Sequence, residues 1–325
     1  MRSSGSGGAP GRFPGGKRFA FTIFDDTDVS TVENVAPIYR LLERLGMRTT
    51  KTVWPVACPE GSPDFGTSET LEDPACLEFV KDLERRGFEI TWHGATMESS
   101  ARARTEAALE RFRDVFGHYP RLHANHGMNR ENLYWGSARI DDAMLKVLYR
   151  LASGQGDGSY LGHVEGTRYW WGDLCELHMQ YVRNLTFDDL NLARINPSMP
   201  YEDRARPRGR LWFSAADAED VDEFNHLLRP EQQDELERDG GFSIVATHFG
   251  KGFVVNGRVH PLAQERLEAL AARSGWFPTA GELLDWLLAH RETRHLGAAE
   301  WRVMQWRWAF DLVRRRLRQR RRRRR

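Results

Sequence analysis

The stretch RFAFTIFDDTDVS, residues 18–30, passes from an apolar run to three carboxylates with no spacer between them. Arg18 to Phe24 has the aromatic and β-branched density of a buried strand. Ser30 is placed to cap a helix, and Val32, Val35, Ile38, Leu41, Leu42 and Leu45 recur at helical spacing after it. A strand handing directly to an amphipathic helix is the repeating unit of a parallel sheet with crossover helices. Asp25, Asp26 and Asp28 fall at the hand-over, beyond the C-terminal end of the strand. Adjacent carboxylates there either serve a site or cap the helix, and Asp28 and Ser30 are the residues placed for capping.

The same unit recurs outward from this stretch. Strands are expected at 48–54, 88–92, 181–187, 209–213 and 241–247, with a short extended segment after Pro120. Helices are expected at 75–86, 102–116, 140–152, 172–179, 261–274 and 279–291. About seven strands without a dinucleotide-type glycine fingerprint favour a closed or nearly closed α/β barrel. His93, His123, His126 and His248 each follow a strand or extended segment. In a parallel barrel these positions share one rim with the three aspartates.

Composition sets the frame for this rim. Among 325 residues, 47 Lys and Arg stand against 46 Asp and Glu, a formal +1, but ten arginines crowd into residues 314–325. Without them 37 basic face 46 acidic residues, so an acidic globule carries a cationic tail. Such a globule offers no groove for nucleic acid, and no specific nucleic-acid partner is expected. Cys58, Cys76 and Cys175 are too few and too scattered for a disulfide framework. The Gly-, Ser- and Pro-rich stretch 1–17 lacks the apolar segment of a secretion signal, so a disordered leader and a cytoplasmic protein are expected.

The rim motifs resemble those of the NodB-homology polysaccharide deacetylases over residues 18 to about 290. Phe24-Asp25-Asp26-Thr27 is similar to their T-F-D-D, and His93 opens an H-x-x-x-H. Tyr119-Pro120-Arg121-Leu122 resembles the lead-in to R-x-P-Y, and Ala246-Thr247-His248 resembles L-x-H. The resemblance implies a distorted (β/α) barrel, a divalent metal with zinc favoured, and removal of acetyl groups from a sugar or glycan precursor. It implies Asp25 as catalytic base, Asp26 and His93 as metal ligands, and His248 as general acid.

The sequence departs from that pattern at two points. Met97 stands where the second histidine would be, and His123-Ala124-Asn125-His126 replaces the motif whose arginine orients the base. Either His126 or His123 supplies the missing nitrogen ligand, or the barrel is a catalytically silent carbohydrate-binding or scaffolding protein. The metal set is then Asp26, His93 and His126, and the donors available to orient Asp25 are Asn125, His123 and Lys51. Within Tyr169-Trp170-Trp171-Gly172-Asp173, Trp171 is either a stacking platform for a sugar or core.

Residues 293–325 form a separate segment. Trp301, Met304, Trp308 and Leu312 fall on one helical face, and Val303, Trp306, Phe310, Val313 and Leu317 on nearly the opposite one. Two apolar faces ask for two apolar partners. With clustered arginines, one of them is expected to be an anionic membrane surface, giving a peripheral position on its inner face.

Overall fold

In the computed structural model, which describes residues 12–153, 158–290 and 296–322, seven strands stand side by side in chain order. They are β1 (Phe19–Asp25), β2 (Thr50–Val53), β3 (Glu89–Trp92), β4 (Leu122–Ala124), β5 (Tyr181–Phe187), β6 (Leu211–Asp217) and β7 (Phe242–Thr247). Every pairing is parallel, and β7 returns to β1 from Ala20–Phe242 to Asp25–Thr247, which closes a seven-stranded (β/α) barrel. A small hairpin, β8 (Val254–Val255) and β9 (Arg258–Val259), follows, and β10 (Gly275–Trp276) pairs with the start of β1.

The helices are α1 (Val32–Arg44), α2 (Pro74–Arg85), α3 (Arg102–Phe116), α4 (Ala143–Ser153), α5 (Gly172–His178), α6 (Val221–Leu227), α7 (Pro230–Asp239), α8 (Pro261–Ala271), α9 (Ala280–His290) and α10 (Ala298–Arg322). Thr31, rather than Ser30, caps α1: its hydroxyl accepts from Asn34 N while Asn34 accepts from Thr31 N, a reciprocal capping box. Residues 136–139, next to the start expected for α4, instead make a 3-10 turn. Strand β6 runs past Phe213 to Asp217, which brings that carboxylate to the rim.

Both faces of β1 are buried. Phe19 and Phe21 pack outward on Phe277, whereas Phe24 points inward to Phe213, with the Arg183 guanidinium 5.1 Å from its ring. Each ring buried this way contributes about 1.5–3 kcal/mol. The three cysteines are free and buried, with Cys175 acting as packing.

Two segments differ from expectation. The leader lies outside the described residues over 1–11, as does His295, but Phe13 is buried against Trp276 and Trp286, with the closer ring centroids 4.7 Å apart. An apolar ring this close to two indoles gains more by burial than the chain loses by ordering. The C-terminal helix α10 lies on the barrel through the face of Trp301, Met304, Trp308 and Leu312. Polar contacts fix it there: Gln305 accepts from Asp141 N and Asp142 N, Asp311 accepts from Asp188 N, and Arg318 pairs with Asp188. Val303, Phe310, Val313 and Leu317 remain exposed on the other side. Among the described residues no helix is long and apolar enough to cross a membrane.

Candidate active site

Strand alternation separates the paired aspartates. Asp25 shares the outward face of Phe19, Phe21 and Ile23. It accepts from Tyr39 Oη at 2.7 Å and from Phe249 N at 2.9 Å, with Lys51 Nζ 3.1 Å away. Asp25 and Lys51, expected as base and orienting donor, thus form a fully buried ion pair between the sheet and α1. They do not reach the rim cavity.

Asp26 turns inward, where Arg183 of β5 grips both its oxygens, one contact being 3.0 Å. Burial alone would raise its pKa, but Arg183, with His93 and His248, holds it below the usual carboxylate value. The residue expected as a metal ligand is therefore an oriented, ionised carboxylate. An arginine of β5 thus grips Asp26, whereas the β4 segment supplies none.

Asp28 is the centre of the rim. His93 Nε2 stands 3.2 Å from its Oδ1, and His126 Nε2 and His248 Nε2 stand 3.5 and 3.2 Å from its Oδ2. Lys251 Nζ lies 3.7 Å from the same oxygen. His93 Nδ1 is 2.9 Å from Ala124 O and His248 Nδ1 is 2.8 Å from Glu219 O. Those carbonyls orient the two rings so that each Nε2 faces Asp28. The contact from His93 is off the line of a hydrogen bond, so the buried Oδ1 has no donor. Burial opposes ionisation of Asp28, but the three histidines hold its pKa well below the usual value.

In return, Asp28 outweighs the effect of burial on His126 and raises its pKa, and Asp28 with Asp26 lifts His248 to about 9. Trp54 packs beside the rings of His93 and His126. Val29, next to Asp28, has φ 51°, an unusual conformation for a β-branched residue. Gly250 lies so close to this loop that a Cβ would sit 2.7 Å from Val29 O and 2.8 Å from Asp28 O. The glycine after His248 therefore admits backbone rather than ligand.

Asp26, Asp28, His93, Asn125, His126 and His248 line a cavity of about 400 Å³. His123 lies outside it, buried against Trp171, and burial holds its pKa down to about 3. Trp171 itself is core, with its indole N–H donating to Glu131 O at 2.7 Å, and it offers no face to a sugar. Asn125 is fixed by Leu133 N and O and lies 3.1 Å from His123 Nε2. Met97 sulfur accepts from Thr67 and Ser68, away from Asp28. Asp220 caps α6, whereas Asp217 accepts from Thr186 and pairs with Arg315.

The same cavity is also lined by Arg139, Trp308 and Arg315, the last two from α10. Among the described residues no group of three or more His, Cys, Asp or Glu side chains is set as a ready-made metal site. The donor chemistry at Asp28 nevertheless fits a divalent ion. His93 Nε2, its ring oriented by Ala124 O, faces the Asp28 oxygen that lacks a donor, His126 and His248 face the other oxygen, and the 3.2–3.5 Å separations match the ~3.4 Å expected between neighbouring donors on a tetrahedral ion.

No family model and no curated protein matches the sequence. Among solved structures, a proposed polysaccharide deacetylase from Mycobacterium smegmatis matches with 16% identity over 90% of this chain and 97% of that one, TM-score 0.51. Puue allantoinase matches with 14% identity over 87% and 94% of the two chains, TM-score 0.48. An assigned polysaccharide deacetylase from Pseudomonas aeruginosa PAO1 matches with 14% identity over 87% and 95%, TM-score 0.47. The chain shares the fold of the first of these, a NodB-type (β/α) barrel.

Proposed function

We propose that this protein is a metal-dependent hydrolase that removes an acetyl group from a sugar or glycan precursor. The observation that carries this reading is the arrangement around Asp28, with an Arg183-held Asp26 beside it in one cavity. Asp28, His93 and His126 would hold the ion, with zinc favoured by imidazole and carboxylate donors. When bound, a divalent ion polarises the acetyl carbonyl and acidifies water. Asp26, kept ionised and oriented by Arg183, accepts the proton of the attacking water. His248, still protonated in the neutral range, returns a proton to the leaving nitrogen or oxygen. Asp25, Lys51 and Tyr39 anchor the strand end that carries this machinery. The catalytically silent reading rested on a lost arginine and a lost histidine. Arg183 beside Asp26 and His126 beside Asp28 offer both residue types, which supports the active reading.

The test is metal content. Chelator-stripped protein is expected to take up about one zinc per chain, more weakly toward pH 5 as His126 holds its proton. His93→Ala and His126→Ala should lose it, while Asp26→Asn should keep it and lose acetate release. Wild type that takes up no metal at any pH would refute the reading.

A second reading concerns where the protein works. Exposed Val147, Leu148 and Leu151 on α4 and Phe310, Val313 and Leu317 on α10 lie on helices joined by the Tyr149–Trp308 contact, beside exposed Arg314, Arg316 and Arg320. Apolar side chains flanked by arginines favour an anionic lipid surface on the cytosolic side, each basic residue adding ~1 kcal/mol. Phosphatidylserine vesicles should float the protein, and neutral phosphatidylcholine vesicles should not. Phe310→Ser/Val313→Ser/Leu317→Ser should weaken flotation about tenfold, since three apolar anchors are lost, without lowering Tm. Flotation indifferent to these changes would remove the reading.

A further inference from the structure

The cavity is lined by a group that deacetylation does not use. Arg139, the last residue of the 3-10 turn at 136–139, is 4% exposed and lines the cavity. Its guanidinium carbon lies 3.5 Å from the Trp135 ring centroid and 5.0 Å from that of Trp308. Its Nε has no hydrogen-bond partner, and among the described residues no carboxylate pairs with it.

Every other cation facing the cavity from within the barrel is matched. Arg183 is spent on Asp26 and Arg315 on Asp217. The carboxylates are likewise spent, Asp28 on its histidines and Glu219 on Lys251. Arg316 adds an exposed charge with no ion pair among the described residues. A guanidinium always carries its charge, and burying it without a counter-ion is unfavourable. A planar cation held between two indoles, with an edge free toward a cavity, is built to receive an oxyanion.

We infer that the substrate is an acetylated sugar bearing a carboxylate or phosphate, bound by Arg139 in the cavity that Asp28 also lines. This rests on the deacetylase reading for the acetyl group but not for the anion. Burial holds the Arg139 pKa down to about 10, assisted by the nearby charges of Arg206 and Arg183, as expected where a compensating anion is lacking. The anion would supply that charge. The cavity of about 400 Å³ is the size of a small-ligand pocket.

Binding to the metal-loaded full chain tests this with N-acetylglucosamine, N-acetylglucosamine 1-phosphate, N-acetylmuramic acid and glucose 1-phosphate. One or both acetylated anions should bind at least about tenfold tighter than N-acetylglucosamine, and the preferred one tells phosphate from carboxylate. Arg139→Gln should bring that ratio to about one while leaving the neutral sugar unchanged, and should hold or raise Tm by removing an uncompensated charge. Should Arg139→Gln fail to fold, Arg139→Lys should fold and keep part of the preference. Equal binding of neutral and anionic sugars by wild type overturns the inference and leaves deacetylation standing. So does an anion preference that survives Arg139→Gln with a lowered Tm. Glucose 1-phosphate binding as tightly as its N-acetylated counterpart would uphold the anion site and count against the acetylated substrate.

Discussion

Asp28→Asn is expected to leave the barrel folded, to abolish metal uptake and to reduce acetate release by on the order of a thousandfold. The near-isosteric amide keeps the loop's shape but removes the charge that three histidines face. A readout independent of activity follows. The pKa of His248 is about 9 because Asp28 and Asp26 outweigh its burial, so the variant should lower it by at least about one unit, followed by imidazole NMR. Asp25→Asn is the contrast. It strands Lys51 in the protein interior, where the pair is 3% and 0% exposed, and should cost about 3–5 kcal/mol of stability. The metal should remain, since Asp25 touches none of the donors. Wild-type metal stoichiometry in Asp28→Asn, or metal loss at unchanged stability in Asp25→Asn, would mean that the roles of the two aspartates are misassigned.

Arg183→Met should be the most damaging single change to stability at the site. It leaves Asp26 ionised, buried and unpaired, at a cost of about 3–5 kcal/mol. The pH dependence identifies the cause. In the wild type Asp26 has a depressed pKa, so its contribution to stability is present above the unfolded value near 3.8 and is lost as pH falls through the folded one. Without Arg183, burial should raise the folded pKa above the unfolded one. The deficit should then be largest near neutrality and shrink as pH falls toward 4, as the folded variant's Asp26 takes up a proton. Asp26→Asn/Arg183→Met should recover most of the stability and none of the activity. Denaturant midpoints between pH 4 and 8 decide the matter. A deficit independent of pH would assign Arg183 to packing on Phe24 rather than to charge.

The barrel was legible because each strand hands over to a helix with the right periodicity, and strands such as 181–187 and helices such as 102–116 fall where the pattern puts them. The site was legible only in outline. In β1 both faces are apolar, so the alternation that sends Asp25 outward and Asp26 inward carries no polarity signal. Asp28 precedes a helix and passes for a cap until Thr31 and Asn34 are seen to do that work. Arg183 did leave a trace: it is a lone cation inside a strand buried on both sides, a place where a charge needs a partner. Nothing in the sequence distinguishes which apolar face of α10 meets the barrel. The choice is made by contacts 118 to 164 residues away, to Asp189 and Asp141.

That last contact has a bearing on how the protein is made. The strands close into a barrel at β7, whereas α10 leaves the ribosome about 50 residues later. During the several seconds between them, at roughly 5–20 residues per second, the donors around Asp28 face solvent without Trp308 and Arg315. On the proposed metal site, the nascent chain would therefore carry its ligand side chains before α10 covers them. Ion uptake would then precede completion of the cavity wall, in the order in which the chain is translated.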